Sequence, residues 1–199
     1  MRKTISTLAA LVMGGSVALA IASPAHAEDP PTNRELIEKC GEDTDLCEFR
    51  PSGSPEIIQN TTEPVGSPVF NCTDREQTSS VSWSETVGES NSVDLSMSAT
   101  FGEIFKQSFE ISYGYEWGES HTESQTTEVT AQPGEVAQVF YGAAMQVVEG
   151  TYEMHFEDAF KGHYIWYVPF EATGPADNQS DTVTQSTRDM TDDERDAFC

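Results

Sequence analysis

"VDLSMSATFGEIFKQSFEISYGYEW", residues 93–117, decides how this chain is read. Apolar and polar residues alternate at both of its ends. Val93, Leu95, Met97, Ala99 and Phe101 share one side of an extended chain. Phe109, Ile111, Tyr113, Tyr115 and Trp117 do so again, with Glu110, Ser112 and Glu116 opposite. Successive side chains of a strand point to opposite faces, so a period of two predicts two half-buried antiparallel strands. Phe101 to Phe109 would form the bend between them.

The flanking sequence extends the same pattern. "GESHTESQTTEVT" (118–130) is polar on both faces and suits an exposed strand. Pro133-Gly134 in "QPGE" marks a turn. "VAQVFYGAAMQVV" (136–148) and "TYEMHF" (151–156) read as strands separated by Glu149-Gly150, and "HYIWYVPF" (163–170) as another. "ATGPADNQSDTVTQS" (172–186) is loop-like. Thr191 and Glu194 then stand at capping-box spacing and open a short terminal helix. The fold class expected is mainly β: a compact antiparallel β-domain over 71–199, an extended N-terminal tail over 28–70, and short terminal helices.

Residues 1–27 carry a sorting signature. Arg2 and Lys3 precede the apolar "LAALVMGGSVALAIA", and "AHA" ending at Ala27 is a small-residue cleavage site. The chain is therefore expected to be secreted and extracellular, beginning near Glu28. In the tail, Thr32 and Glu35 form a second capping-box pair after Pro31, and Gly41 ends the short helix they begin. Pro51, Pro55, Pro64 and Pro68 favour extended chain beyond it. "EIIQN" (56–60) could add an edge strand to the chain's own sheet.

Four cysteines, Cys40, Cys47, Cys72 and Cys199, all lie in the exported part. An even number in an oxidising compartment reads as two disulfides. Three pairings are possible, and the short flexible loop favours Cys40–Cys47, leaving Cys72–Cys199. In a chain-entropy picture the small loop contributes about 2.5 kcal/mol and the long one about 5 kcal/mol. Without a CxxC pair, and with scattered histidines, no zinc site is expected. "DTDLCE" lacks the glycine and glutamate of an EF-hand loop.

Charge narrows the function classes. The chain has 34 acidic against 10 basic residues, and losing Arg2 and Lys3 makes it more acidic still. Such a field repels nucleic acid and anionic lipid, and favours solubility or docking to basic protein surfaces or cations. No G-x-S-x-G, H-E-x-x-H or P-loop occurs, and chance acid pairs such as Asp43/Asp45 are expected among so many carboxylates. A non-enzyme without cofactor or metal is expected.

Two resemblances follow. "TVGESNSVDLSMSATFGEIFKQSFEISYGYEWGESHTESQTTEVTAQPGE", continued by "VAQVFYGAAMQVVEGTYEM", resembles the aerolysin-like, epsilon-toxin/mosquitocidal group of β-pore-forming toxins over about residues 78–157. The shared pattern is a "TVG-x-S" entry, an alternating strand, an aromatic "SYGYEWG", a "PGE" turn and a valine-rich return. It implies an aerolysin-like β-domain. The short tail leaves no room for the separate receptor-binding region such toxins carry. The aromatic face of the second strand suits core packing as well as it suits lipid. The layout of signal peptide, "TNRELIEKCGEDTDLCEFRP" and β-domain resembles the small adaptor subunits of umbrella toxin particles, the secreted antibacterial complexes of filamentous soil bacteria. That resemblance implies two protein partners, a trypsin-like lectin-bearing subunit and the large repeat-built toxin shaft polypeptide. Arg34, Leu36, Ile37, Phe49 and Arg50 would be the partner-binding residues. The alternative is a stand-alone β-pore-forming toxin, the one case in which a membrane is engaged.

Overall fold

The computed structural model describes residues 29–41 and 43–199, so the sorting signature read at 1–27 lies outside the described residues. The elements run α1 (Asn33–Ile37), β1 (Leu46–Pro51), β2 (Glu56–Gln59), β3 (Glu63–Phe70), β4 (Gln77–Gly88) and β5 (Ser90–Asn91). There follow α2 (Thr100–Tyr113), β6 (Ser120–Ala131), β7 (Glu135–Gly142), β8 (Ala144–Phe160), β9 (His163–Pro175), β10 (Thr182–Asp189) and α3 (Asp192–Phe198). The fold is mainly antiparallel β with short helices. One sheet runs β1-β8-β9-β5 with β2 also on β8, a second runs β10-β7-β3, and β4 pairs with β6 alone.

Both capping boxes close as expected. The Thr32 hydroxyl accepts from the Glu35 N–H and the Thr191 hydroxyl from the Glu194 N–H, while each glutamate reaches back to its cap. The segment read as a tail is built into the sheets. β1 pairs with β8, placing Phe49 beside Tyr152, and β2, an edge strand expected only as the alternative to a tail docked on a partner, pairs with β8 from Glu56↔Val147 to Gln59↔Ala144. β3 lies on β7.

The opening stretch departs from the alternation read there. Residues 93–99 form no strand, and 100–113 form α2. Phe101, Phe105 and Phe109 recur at helical spacing and are buried against β1, β8 and β9. Ile111, which a strand would have turned inward, is 86% exposed. Gly102 makes the close packing at the start of α2 possible, because a Cβ there would stand 2.0 Å from the Met97 carbonyl oxygen. Gly114 ends the helix in the left-handed conformation, with its N–H on the Glu110 carbonyl.

Glu149-Gly150 is not a break either: β8 runs straight through it. A Cβ on Gly150 would fall 2.3 Å from the Phe49 ring, so this glycine is the slot into which Phe49 packs. The expected loop over 172–186 is shorter than read, since β9 reaches Pro175 and β10 begins at Thr182.

Two apolar clusters hold the body together. The larger joins α1, β1, α2, β8 and β9 around Phe49, Phe105, Phe109, Tyr152 and Phe170. The smaller lies between the β4–β6 pair and β7, around Val81, Trp83, Val129, Val139 and Tyr141.

Candidate functional site

The partner-binding residues expected from sequence separate into two groups. Leu36 is 3%, Ile37 1% and Phe49 2% exposed, so none of the three is an apolar anchor for another protein in this fold. Phe49 lies 5.0 Å from the Phe105 ring, 5.1 Å from Tyr152 and 5.8 Å from Phe170, near the centre of the larger core. A residue with three aromatic neighbours of its own has no face to offer. The hydrophobic residues of the tail were satisfied by the chain's own sheet.

Arg34 and Arg50 stay at the surface but differ in what they do. Arg34 pairs with Glu38 at 3.2 Å and donates to the carbonyls of Val93 and Asp94, so it braces the turn before α2. Arg50 stands on the outer face of β1. Its guanidinium reaches Glu48 at 3.1 Å and Glu153 at 2.8 Å. The hydrogen bond to Glu48, then the charges of Glu153 and Glu48, raise its pKa above the ordinary arginine value. Glu153 is nearly covered, and its other oxygen meets His155 Nε2 at 2.8 Å. A carboxylate this buried needs such partners, and Arg50 and His155 supply them.

The register places apolar side chains beside this polar centre. Glu48, Glu153 and Tyr167 lie in one row across β1, β8 and β9; Leu46, His155 and Ile165 lie in the next. Tyr167 is 63%, Ile165 46% and Tyr164 61% exposed. Ile165 and Tyr167 share the face of His155 and Glu153, whereas Tyr164 is exposed on the opposite face of the strand. Trp166 points to the other side, where its ring meets His163 edge-on at 4.9 Å. The result is an aromatic ledge next to a guanidinium, with a buried carboxylate holding the guanidinium in place.

Sequence reading missed the ledge, though a signal was present. "YIWY" (164–167) is apolar at four successive positions, so an alternating strand must leave some of them facing water. The cysteines pair as Cys40–Cys47 and Cys72–Cys199. The first closes the loop between α1 and β1, and the second ties the chain end after α3 to the segment after β3. Two disulfides fit an oxidising compartment.

No protein-family model matches the chain, and no curated protein does. Solved structures that align with it include a putative pore-forming toxin from Bacteroides vulgatus. That match has 12% identity and a TM-score of 0.33, and covers 74% of this chain and 57% of the toxin. Parasporin-2 of Bacillus thuringiensis, a toxin that recognizes cancer cells, aligns with 12% identity and a TM-score of 0.27 over 74% of each chain. The Cry23Aa1 and Cry37Aa1 binary protein complex aligns with 12% identity and a TM-score of 0.24, covering 79% of this chain and 94% of the other. The chain thus spans little more than half the length of the first of these. At this identity and these scores the likeness assigns no activity to the chain.

Proposed function

We propose that the protein is a secreted, non-enzymatic adaptor in a bacterial antibacterial toxin complex, linking a trypsin-like lectin-bearing subunit to a large repeat-containing toxin polypeptide. The observation that supports this is the ledge of Ile165 and Tyr167 beside Arg50, on a chain otherwise rich in carboxylates and hydroxyls. Tyrosine and arginine anchors next to an apolar residue are what protein interfaces concentrate, because they bury much area with few rotamers to freeze. The net charge of −24 disfavours nucleic acid and anionic lipid as the occupant and favours a basic protein surface. In this reading the ledge takes the docking role first expected of Leu36, Ile37 and Phe49, and Arg50 keeps its part in it. Arg34 serves the fold.

The test is co-expression of the tagged protein with both partners, followed by purification from the medium. Recovery of all three together is expected, with loss of one partner in Ile165→Asp and Tyr167→Ala while circular dichroism stays unchanged. Recovery of the tagged chain alone as a monomer at every concentration would overturn the adaptor. A complex that survives both substitutions would remove the ledge from it.

A second reading, a stand-alone β-pore-forming toxin, is favoured by one specific observation. Residues 89–119 lie between the two long strands β4 and β6, and most of their apolar residues fall on a period of two although Thr100–Tyr113 form a helix. Extended, that segment could supply strands of the 9 to 11 residues or so that a bilayer requires. The cost is that Phe101, Phe105 and Phe109 must leave the core. Release of dye from liposomes would support it; intact liposomes at high protein concentration would remove it.

A further inference from the structure

On the inner side of β6, His121 and Glu123 point toward the body of the protein. Their partners across the hairpin are Val87 and Glu85, so Glu85 and Glu123 stand directly opposite each other. Like charges in that position are unfavourable unless something offsets them. Asp181, in the turn before β10, reaches the same place. Its Oδ1 accepts the Ala144 N–H at 2.8 Å and its Oδ2 accepts the Tyr141 hydroxyl at 2.8 Å, which fixes the carboxylate.

Asp181 Oδ2 is 3.2 Å from His121 Nε2, Glu123 Oε2 is 3.9 Å from that nitrogen, and Asp177 Oδ1 is 3.5 Å from Nδ1. Three carboxylates therefore gather about one imidazole. Yet His121 Nε2, shielded from solvent, makes no hydrogen bond. Its 3.2 Å approach to Asp181 is an ion pair only when the ring is protonated, so nothing satisfies this nitrogen in the neutral ring, and a ligand shared with Asp181 would.

We propose that His121 Nε2, a Glu123 oxygen and Asp181 Oδ2 are the ligands of a divalent transition-metal site, best suited to zinc. An imidazole with carboxylates is the donor set zinc and its neighbours accept, whereas calcium and magnesium take oxygen shells. The three ligand atoms lie within 4.8 Å of one another. Zinc–ligand bonds of about 2.1 Å in a tetrahedron put ligand atoms about 3.4 Å apart, so closure needs only a modest swing of Glu123. Tyr141 holds Asp181 from behind. The Tyr141 hydroxyl donates to Asp181 Oδ2 and so orients the carboxylate toward His121. The ion would neutralise part of the Glu85–Glu123 repulsion and cross-link β6 to the turn before β10. It would do so beside the point where residues 89–119 rejoin β6. The site stands whether or not the adaptor reading does.

The test is calorimetric titration of the full secreted chain with ZnCl2 in excess Mg2+, which masks diffuse binding to surface carboxylates. About one saturable equivalent is expected, with a higher melting temperature; Co2+ in its place should give visible absorption from a nitrogen–oxygen ligand set. His121→Ala and Glu123→Gln should each weaken binding more than about tenfold. Neither touches the backbone contact that Asp181 makes, so both should fold. Absence of saturable uptake, or uptake that both variants leave unchanged, would overturn the site.

Discussion

Residues 89–119 and the two strands that flank them use the same kind of sequence for opposite ends. In the segment between, apolar residues four apart bury the rings of Phe101, Phe105 and Phe109 in the larger core, and Tyr152 donates to the Phe101 carbonyl at 2.7 Å. In β4 and β6 the outward face carries almost nothing but hydroxyls, paired across the hairpin. Thr78 meets Thr130 at 3.1 Å, Ser82 meets Thr126 at 2.8 Å, Ser84 meets Ser124 at 2.7 Å and Thr86 meets Thr122 at 2.8 Å. One region is held by the area it removes from water. The other is held mainly by its backbone ladder and by the inner residues Val81, Trp83 and Val129. Deletions should therefore be costly in the first and mild in the second.

The largest effect is expected from Phe105→Ala. The ring is fully buried and lies within 6.2 Å of those of Phe49, Phe109, Trp117 and Phe170. Truncation should cost about 3–5 kcal/mol, read as a fall in the urea midpoint. A loss under about 1 kcal/mol would mean that α2 is not part of the core. Next is Gly102→Ala. Intrinsic propensity favours alanine in a helix by about 1 kcal/mol, but the added Cβ meets the Met97 carbonyl oxygen at 2.0 Å. Steric overlap should win, so the variant loses about 1–3 kcal/mol in the same measurement. Stabilisation would show that the chain around Met97 is free to move. On the strands, Thr126→Val removes one exposed hydroxyl contact and adds a residue of high β-propensity. The urea midpoint should shift by less than about 1 kcal/mol in either direction.

The same comparison explains what sequence could and could not reveal. Strand β6 was legible because "SHTESQTTEVTA" is polar enough that a period of two is its simplest use, and the turn at Pro133-Gly134 marks its end, whereas its partner β4 was not read. Residues 93–117 were misread for a numerical reason. Positions 101, 105, 109, 113 and 117 are four apart, and every multiple of four is also even, so one helix face passes for one strand face. Glu103 and Gln107 break the ambiguity. In a strand they would interrupt the apolar side, while on a helix they fall away from it and are exposed, as found. The ledge and the His121 group were hidden for another reason. Tyr167 and Arg50 flank Glu153 from different strands, and His121 meets Asp181 across 60 positions, so no local pattern announces either. His121 and Glu123, two apart on one strand, gave half of that group; the turn that brings Asp181 gave the rest.

Ile111→Asp is expected to have the smallest effect on stability and separates the two forms of this segment most sharply. On α2 the side chain is 86% exposed and touches none of the core, so an aspartate there should change the unfolding free energy by no more than about 0.5 kcal/mol. In an extended hairpin crossing a bilayer, the same position lies on the side of Phe109, Tyr113 and Trp117, and a charge facing lipid there costs about 2–4 kcal/mol at most depths. The variant thus leaves the soluble fold alone and acts on an inserted state. Unchanged urea unfolding with unchanged complex formation fits an adaptor whose α2 stays packed. Unchanged unfolding with abolished liposome leakage, where the parent chain leaks, would instead identify residues 89–119 as the part that opens.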